Sequence, residues 1–97
     1  QRHYWRRDKA GSDAELDFVY IYKGQVIPIE IKSGNNAKLK SLHQFMDIAP
    51  HDIAIRVWSN PFSVDEVKTN SGKTFRLINL PFYYVGQLEK ILGKIWG

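Results

Sequence analysis

The stretch ELDFVYIYKGQVIPIEIK, Glu15 to Lys32, decides the fold. Aromatic and β-branched residues fill both sides of Lys23-Gly24, as they do in strands. A two-residue connection ending in glycine predicts a hairpin between Glu15–Tyr22 and Val26–Lys32. With Lys23 and Gly24 as the loop, Tyr22 faces Gln25, Asp17 faces Glu30 and Glu15 faces Lys32. Side chains alternate along a strand, so Glu15, Asp17, Glu30 and Lys32 share one face. Leu16, Phe18, Tyr20, Ile27, Ile29 and Ile31 cover the other, while Val19, Ile21 and Val26 continue the charged face toward the turn. A one-residue slip in register would separate the charged pairs.

Outward from this hairpin the chain reads as a single domain over residues 1–97. His3 to Arg7 forms a short strand, and Asp8 to Asp13 a loop with Gly11 and Ser12 as turn residues. Ser33, Gly34, Asn35 and Asn36 offer helix caps. Leu39, Leu42, Phe45, Met46 and Ile48 recur at helical spacing, and Pro50 ends that helix. Asp52 to Ser59 is a strand, with Ile53, Ile55 and Val57 on one face. Val64 to Leu80 folds as a hairpin about Asn70-Ser71-Gly72. Pro81 suits the first turn of a final helix whose apolar stripe is Val85, Leu88, Ile91, Leu92 and Ile95.

The order is β-β-β-α-β, then a hairpin and a C-terminal helix, which gives an α/β fold with a mixed central sheet. A strand, a crossover helix and a following strand usually pair in parallel, so Asp52–Ser59 belongs beside Val26–Lys32. The latter is then central, in keeping with its near-continuous apolar character. Pro28 removes a ladder donor, which a position near the strand start tolerates.

Asp17 opposite Glu30 is the informative pair. Like charges directly across a strand pair are unfavourable, and two such carboxylates need a cation between them or a shared proton. A hard divalent ion with oxygen ligands meets that need. Lys32 beside it can orient a water or balance charge on a phosphate, and the chemistry that follows is metal-assisted hydrolysis of a phosphodiester. Cross-strand surface pairs on a solvated edge remain open as an alternative on the residue pattern alone; Glu15–Lys32 suits that view and Asp17–Glu30 does not.

Composition narrows the classes. With 43% hydrophobic residues, 13% aromatic and 25% charged, the chain can bury a core without staples. It has no cysteine, which excludes disulfides and thiolate zinc sites and fits a cytoplasmic protein. No apolar run is long enough for a spanning helix, so no membrane partner is expected. A net charge of +4 mildly favours polyanions. Arg6, Arg7, Lys38 and Lys40 are the candidates for a nucleic-acid path, weighed against a solvated face. His3, His43 and His51 lack ligand-like spacing. Trp5, Trp58 and Trp96 read as core or domain-contact residues ahead of base-stacking ones. The final helix reads as core packing, with docking to another domain or a homo-oligomer partner as the alternative.

Asp17 followed, after an apolar run, by Glu30-Ile31-Lys32 resembles the PD-(D/E)XK motif of restriction-endonuclease-like nucleases, and the β-β-β-α-β order resembles their core. Residues 4–50 look like the C-terminal domain attached to a family of prokaryotic AAA+ ATPases of poorly defined function. Tyr4-Trp5, Glu15-Leu16-Asp17-Phe18 and Pro28-Ile29-Glu30-Ile31-Lys32-Ser33 carry that likeness. The resemblance implies Mg²⁺ or Mn²⁺ held by Asp17, Glu30 and the backbone carbonyl of Ile31, with Lys32 as the catalytic lysine. Glu15 supports the cluster, and Gln44 sits where related nucleases often place a supporting polar residue, though a surface polar role suits it too. DNA is the implied substrate.

Two departures matter. The helix that usually precedes the first strand of such nucleases has no room before Tyr4, and no GK[ST] phosphate loop occurs. The expectation is therefore a C-terminal fragment of a longer ATPase, acting either as a nuclease domain or as a catalytically inactive module that binds nucleic acid or a partner.

Overall fold

A computed structural model describes residues 4–6, 18–31 and 40–96 of the chain. Its strands are β1 (Tyr4–Arg6), β2 (Phe18–Tyr22), β3 (Gln25–Ile31), β4 (Ile53–Trp58), β5 (Ser63–Lys68) and β6 (Thr74–Pro81). Helix α1 (Lys40–Ile48) precedes β4, and a 3-10 segment (Phe82–Gln87) leads into α2 (Leu88–Trp96). The β-β-β-α-β order, the following hairpin and the C-terminal helix are all observed.

The strands form one mixed six-stranded sheet in the order β1-β2-β3-β4-β6-β5. The β2–β3 hairpin has the expected register, from Tyr22↔Gln25 to Phe18↔Ile29. Lys23 (φ 49°) and Gly24 (φ 78°) both take the left-handed conformation, the pair that a two-residue turn needs to match the twist of its strands. Strand β4 lies parallel to β3 on one side and to β6 on the other, while β5 and β6 form the second hairpin. The turn of that hairpin is closed by Thr69 N–H to Lys73 O (2.8 Å) and Gly72 N–H to Thr69 O (3.0 Å), with Gly72 at φ 100°. Edge strand β5 carries exposed Asp65, Glu66 and Lys68, charges that discourage a further strand from adding there.

Two apolar clusters cover the two faces. On one, Tyr20, Ile27, Ile29, Ile53, Ile55, Ile78 and Leu80 pack under Leu88 and Leu92 of α2, with Phe18, Ile31, Val85, Ile91, Ile95 and Trp96 around them. Trp96 stacks on Tyr22 with ring centroids 5.8 Å apart, so it packs as a core residue. On the other face, Leu42 and Met46 of α1 meet Ala54, Phe75 and Leu77, flanked by Val19, Phe45, Ala49 and Val67. Strand β4 lies between the clusters, and only Trp58 among its residues is not buried.

Three expectations are corrected. Ile48 is 85% exposed and not part of the buried stripe of α1. At about 100° per residue, Phe45, Met46 and Ala49 all lie within about 60° of Leu42, whereas Ile48 lies about 120° away. The last helix does not begin at Pro81, which closes β6; a 3-10 segment intervenes and α2 starts at Leu88. Tyr83, Tyr84, Val85 and Gly86 are weak helix formers, and the chain tightens there before the α-helix begins.

Pro28 is the fourth of seven residues in β3 and not near its start. Pairing with β4 begins only at Ile29, so the missing N–H falls where β3 has no neighbour on that side. The Val26 carbonyl points the same way and is closed instead by His51, whose Nε2 lies 2.7 Å from it. His51 Nδ1 accepts from Ile53 N–H at 3.2 Å, so Nε2 carries the proton.

The turn of the second hairpin is tied to α1. Lys73 Nζ donates to the carbonyls of Ala49 (2.6 Å) and His51 (2.7 Å), and Ser71 Oγ donates to Asp47 at 2.5 Å. No helix among the described residues is long and apolar enough to cross a membrane.

Candidate functional site

Glu30 is the penultimate residue of β3 and half-buried, with Oε1 shielded from solvent. It alternates with Ile29 and Ile31, which pack in the α2 cluster, so its side chain leaves the sheet on the α1 face. Its ladder neighbour on β4 is Arg56, and the neighbour of Arg56 on β6 is Asn79. Asn79 in turn faces Ser63 on β5. A polar row therefore crosses four strands: Glu30, Arg56, Asn79 and Ser63. Three of them stand on mutually parallel strands toward the carboxyl ends, the position at which open α/β sheets commonly bind ligands.

The row is held by specific bonds. Arg56 is 9% exposed and Asn79 is fully buried. Arg56 Nε donates to Asn79 Oδ1 at 2.7 Å. Asn79 Nδ2 donates to Ser63 Oγ at 3.0 Å and to Asp65 Oδ2 at 2.9 Å. Arginine only donates and a carboxylate only accepts, so these partners fix which way the Asn79 amide faces. The guanidinium lies 4.5 Å from the centre of the Trp58 ring, and Nη2 is 3.9 Å from Asp65 Oδ2. Trp58 Nε1 donates to the Pro61 carbonyl at 3.2 Å, which anchors the ring in the loop after β4. A buried cation needs such compensation. Opposite charges on neighbouring strands, as at Glu30 and Arg56, are favourable.

Other residues singled out in the sequence are placed as follows. Ile31 ends β3, with its side chain in the α2 cluster. Gln44 lies on α1, half-buried, and its Oε1 is shielded from solvent with no hydrogen-bond partner among the described residues. Arg6 ends β1 and Lys40 opens α1. Glu15, Asp17, Lys32, Arg7 and Lys38 lie outside the described residues.

Arg56, Asn79 and Asp65 were not expected from the sequence. The available signal was the single arginine inside the apolar run Ile53–Trp58, since charged residues are almost never fully buried unless paired. Asn79 carries a similar signal between Ile78 and Leu80.

On the opposite face an open apolar cavity of about 240 Å³ lies against the 3-10 segment. Phe18, Ile29, Ile31, Val57, Phe82 and Val85 are among its walls, and Phe82 is 53% exposed.

Together these features describe a mixed α/β domain with a buried polar row at the carboxyl ends of its parallel strands. Residues 1–83 match the family described as Domain of unknown function (DUF4143), and the chain belongs to that family. Neither the curated proteins nor the solved structures contain a match to it.

Proposed function

We propose that the domain is a metal-dependent phosphodiester hydrolase of PD-(D/E)XK type acting on DNA. The observation that carries the reading is the register of the β2–β3 hairpin, Phe18↔Ile29, which puts Glu30 on the α1 face at the carboxyl end of β3. Continued by one residue, that register would match Asp17 with Glu30, the pair that the sequence pattern predicts. The donors are hard oxygens, from the carboxylates of Asp17 and Glu30 and the carbonyl of Ile31, and these suit Mg²⁺ or Mn²⁺. Such an ion supplies Lewis acidity toward a phosphoryl oxygen and lowers the pKa of a bound water. Lys32 would orient the attacking water and balance charge on the phosphate, and the sequence pattern makes Glu15 its counter-charge. Arg6, Arg7, Lys38 and Lys40 supply the positive charge of a DNA path.

Calorimetric titration of Mg²⁺ or Mn²⁺ into the wild-type chain and Asp17→Ala tests the metal site. Binding heat in the wild type and its loss in the variant are expected, with duplex cleavage lost in Lys32→Ala. Equal heats in both proteins, or cleavage that survives both substitutions, would refute the reading.

The apolar cavity, with Phe82 exposed in its wall, favours a second reading, a non-catalytic module of a AAA+ ATPase that binds nucleic acid or a partner. Turnover of DNA by the purified domain at an ordinary enzymatic rate would eliminate that second reading.

A further inference from the structure

Arg56 stands in a strand whose other residues are apolar, and it is buried to nine-tenths. A guanidinium has five N–H donors. Among the described residues only one of them, on Nε, is used in a hydrogen bond, to Asn79. The Asp65 carboxylate stands 3.9 Å from Nη2, within ion-pair range but too far for a hydrogen bond. The four N–H groups on Nη1 and Nη2 thus have no acceptor among the described residues.

The group is also fixed in place. The Asn79 amide grips Nε, Ser63 and Asp65 hold that amide, and the Trp58 ring covers the guanidinium at 4.5 Å. A fork held at its base, with no hydrogen bond at its tips among the described residues, is pre-organised for a two-point oxygen acceptor, and phosphate is the acceptor that fits arginine best. Its place next to Glu30 in the ladder puts it in the candidate site.

We propose that Arg56 is the phosphate-contacting residue of this site, receiving a backbone phosphate oxygen of bound DNA through Nη1 and Nη2, with Asn79 and Trp58 as its positioning residues. The choice of DNA as the source of the phosphate rests on the hydrolase reading; the fork geometry does not.

The test measures binding of a labelled random-sequence DNA duplex to the 97-residue chain across a salt series without divalent ions, so that neither metal binding nor cleavage enters. Arg56→Gln is expected to weaken binding about ten-fold at low salt, since a hydrogen bond to a charged group is worth about 1.4 kcal/mol or more. The slope of log affinity against log salt should flatten by about 0.9, the loss of one phosphate contact. Arg56→Lys should keep the slope and lose affinity, because it keeps the charge without the fork.

A second measurement needs no variant: the Arg56 Nε–Hε resonance of the wild type, held by Asn79, should shift when duplex is added. Overlapping affinity and slope for wild type and Arg56→Gln, no duplex binding by the wild type, or a shift with inorganic phosphate but none with duplex would each overturn the proposal. The hydrolase reading fails separately: if the wild type gives no metal-binding heat while the Arg56→Gln slope flattens, the hydrolase falls and the phosphate contact stands.

Discussion

The Arg56–Asn79 pair makes a quantitative claim that a double-mutant cycle can check. Asn79→Leu removes the acceptor of a guanidinium that is nine-tenths buried. A hydrogen bond to a charged group is worth about 1.5–3 kcal/mol, and Nε cannot rehydrate behind Trp58. The two bonds from Nδ2 cost less to lose, because Ser63 and Asp65 lie on an edge strand and regain water. Burying leucine returns about 1.5–3 kcal/mol. The net effect expected is a destabilisation of about 1–2 kcal/mol.

Arg56→Met alone leaves Asn79 Oδ1 buried without a donor and costs about 1–3 kcal/mol. The double variant replaces a buried polar pair by apolar groups of similar size, a change often close to neutral. With a near-neutral double variant the coupling energy equals the two single costs together, about 2–5 kcal/mol. Urea denaturation of the four proteins measures it, read from midpoints with unchanged slopes. Coupling below about 0.5 kcal/mol, the ordinary error of additivity, would mean that the two side chains do not depend on each other, and the account of the polar row would be wrong.

Four further outcomes are expected. Ile48→Ser should change stability by no more than about 0.5 kcal/mol, whereas Met46→Ala should cost about 2–5 kcal/mol; thermal melts of both decide which face of α1 is buried. Lys73→Met removes two carbonyl contacts near the start of β4 and should destabilise by about 1–3 kcal/mol by urea titration. The hydrogen bonds from Ser71, then Thr69, hold the Asp47 carboxyl below the usual carboxylate range. A depressed folded-state pKa gives stability that is present above about pH 4 and lost as pH falls through the folded value, so the melting-temperature gap between wild type and Asp47→Asn should close on acidification. Gly72→Ala should destabilise by more than the glycine-to-alanine entropy gain of about 0.4–1 kcal/mol, because φ is 100° there; differential scanning calorimetry gives the sign.

Most of the sheet was legible because its signals are local. Lys23-Gly24 fixes the register of β2 on β3 through backbone conformation alone, and every pair from Tyr22↔Gln25 to Phe18↔Ile29 follows from it. The parallel placement of β4 follows from the crossover rule. Ile48 was misplaced because a three-residue step from Phe45 looks helical, although the buried arc runs through Met46 and Ala49. The end of the chain was misread because proline at a helix start and proline at a strand end look alike in sequence. Of the candidate site, Glu30 came from the hairpin pattern. Arg56 did not, because its partner Asn79 is 23 residues away and meets it only through a parallel ladder whose register no short motif encodes. Pro28 was tolerable for a reason outside its own strand, the His51 imidazole that closes the Val26 carbonyl.

Strand β4 has a consequence for how the chain reaches its fold. Its two neighbours are β3 and β6, and it forms no hairpin with either. The β2–β3 and β5–β6 ribbons close over short loops and can form within microseconds, but ribbons of two strands, or of three where β1 joins β2, are marginal in water without a packed face. Each gains lasting protection only when β4 joins it to the other, after the longer loops around it have closed. Assembly is therefore gated by the arrival of Ile53–Trp58, and the amide protons of that strand should be the last to exchange with solvent.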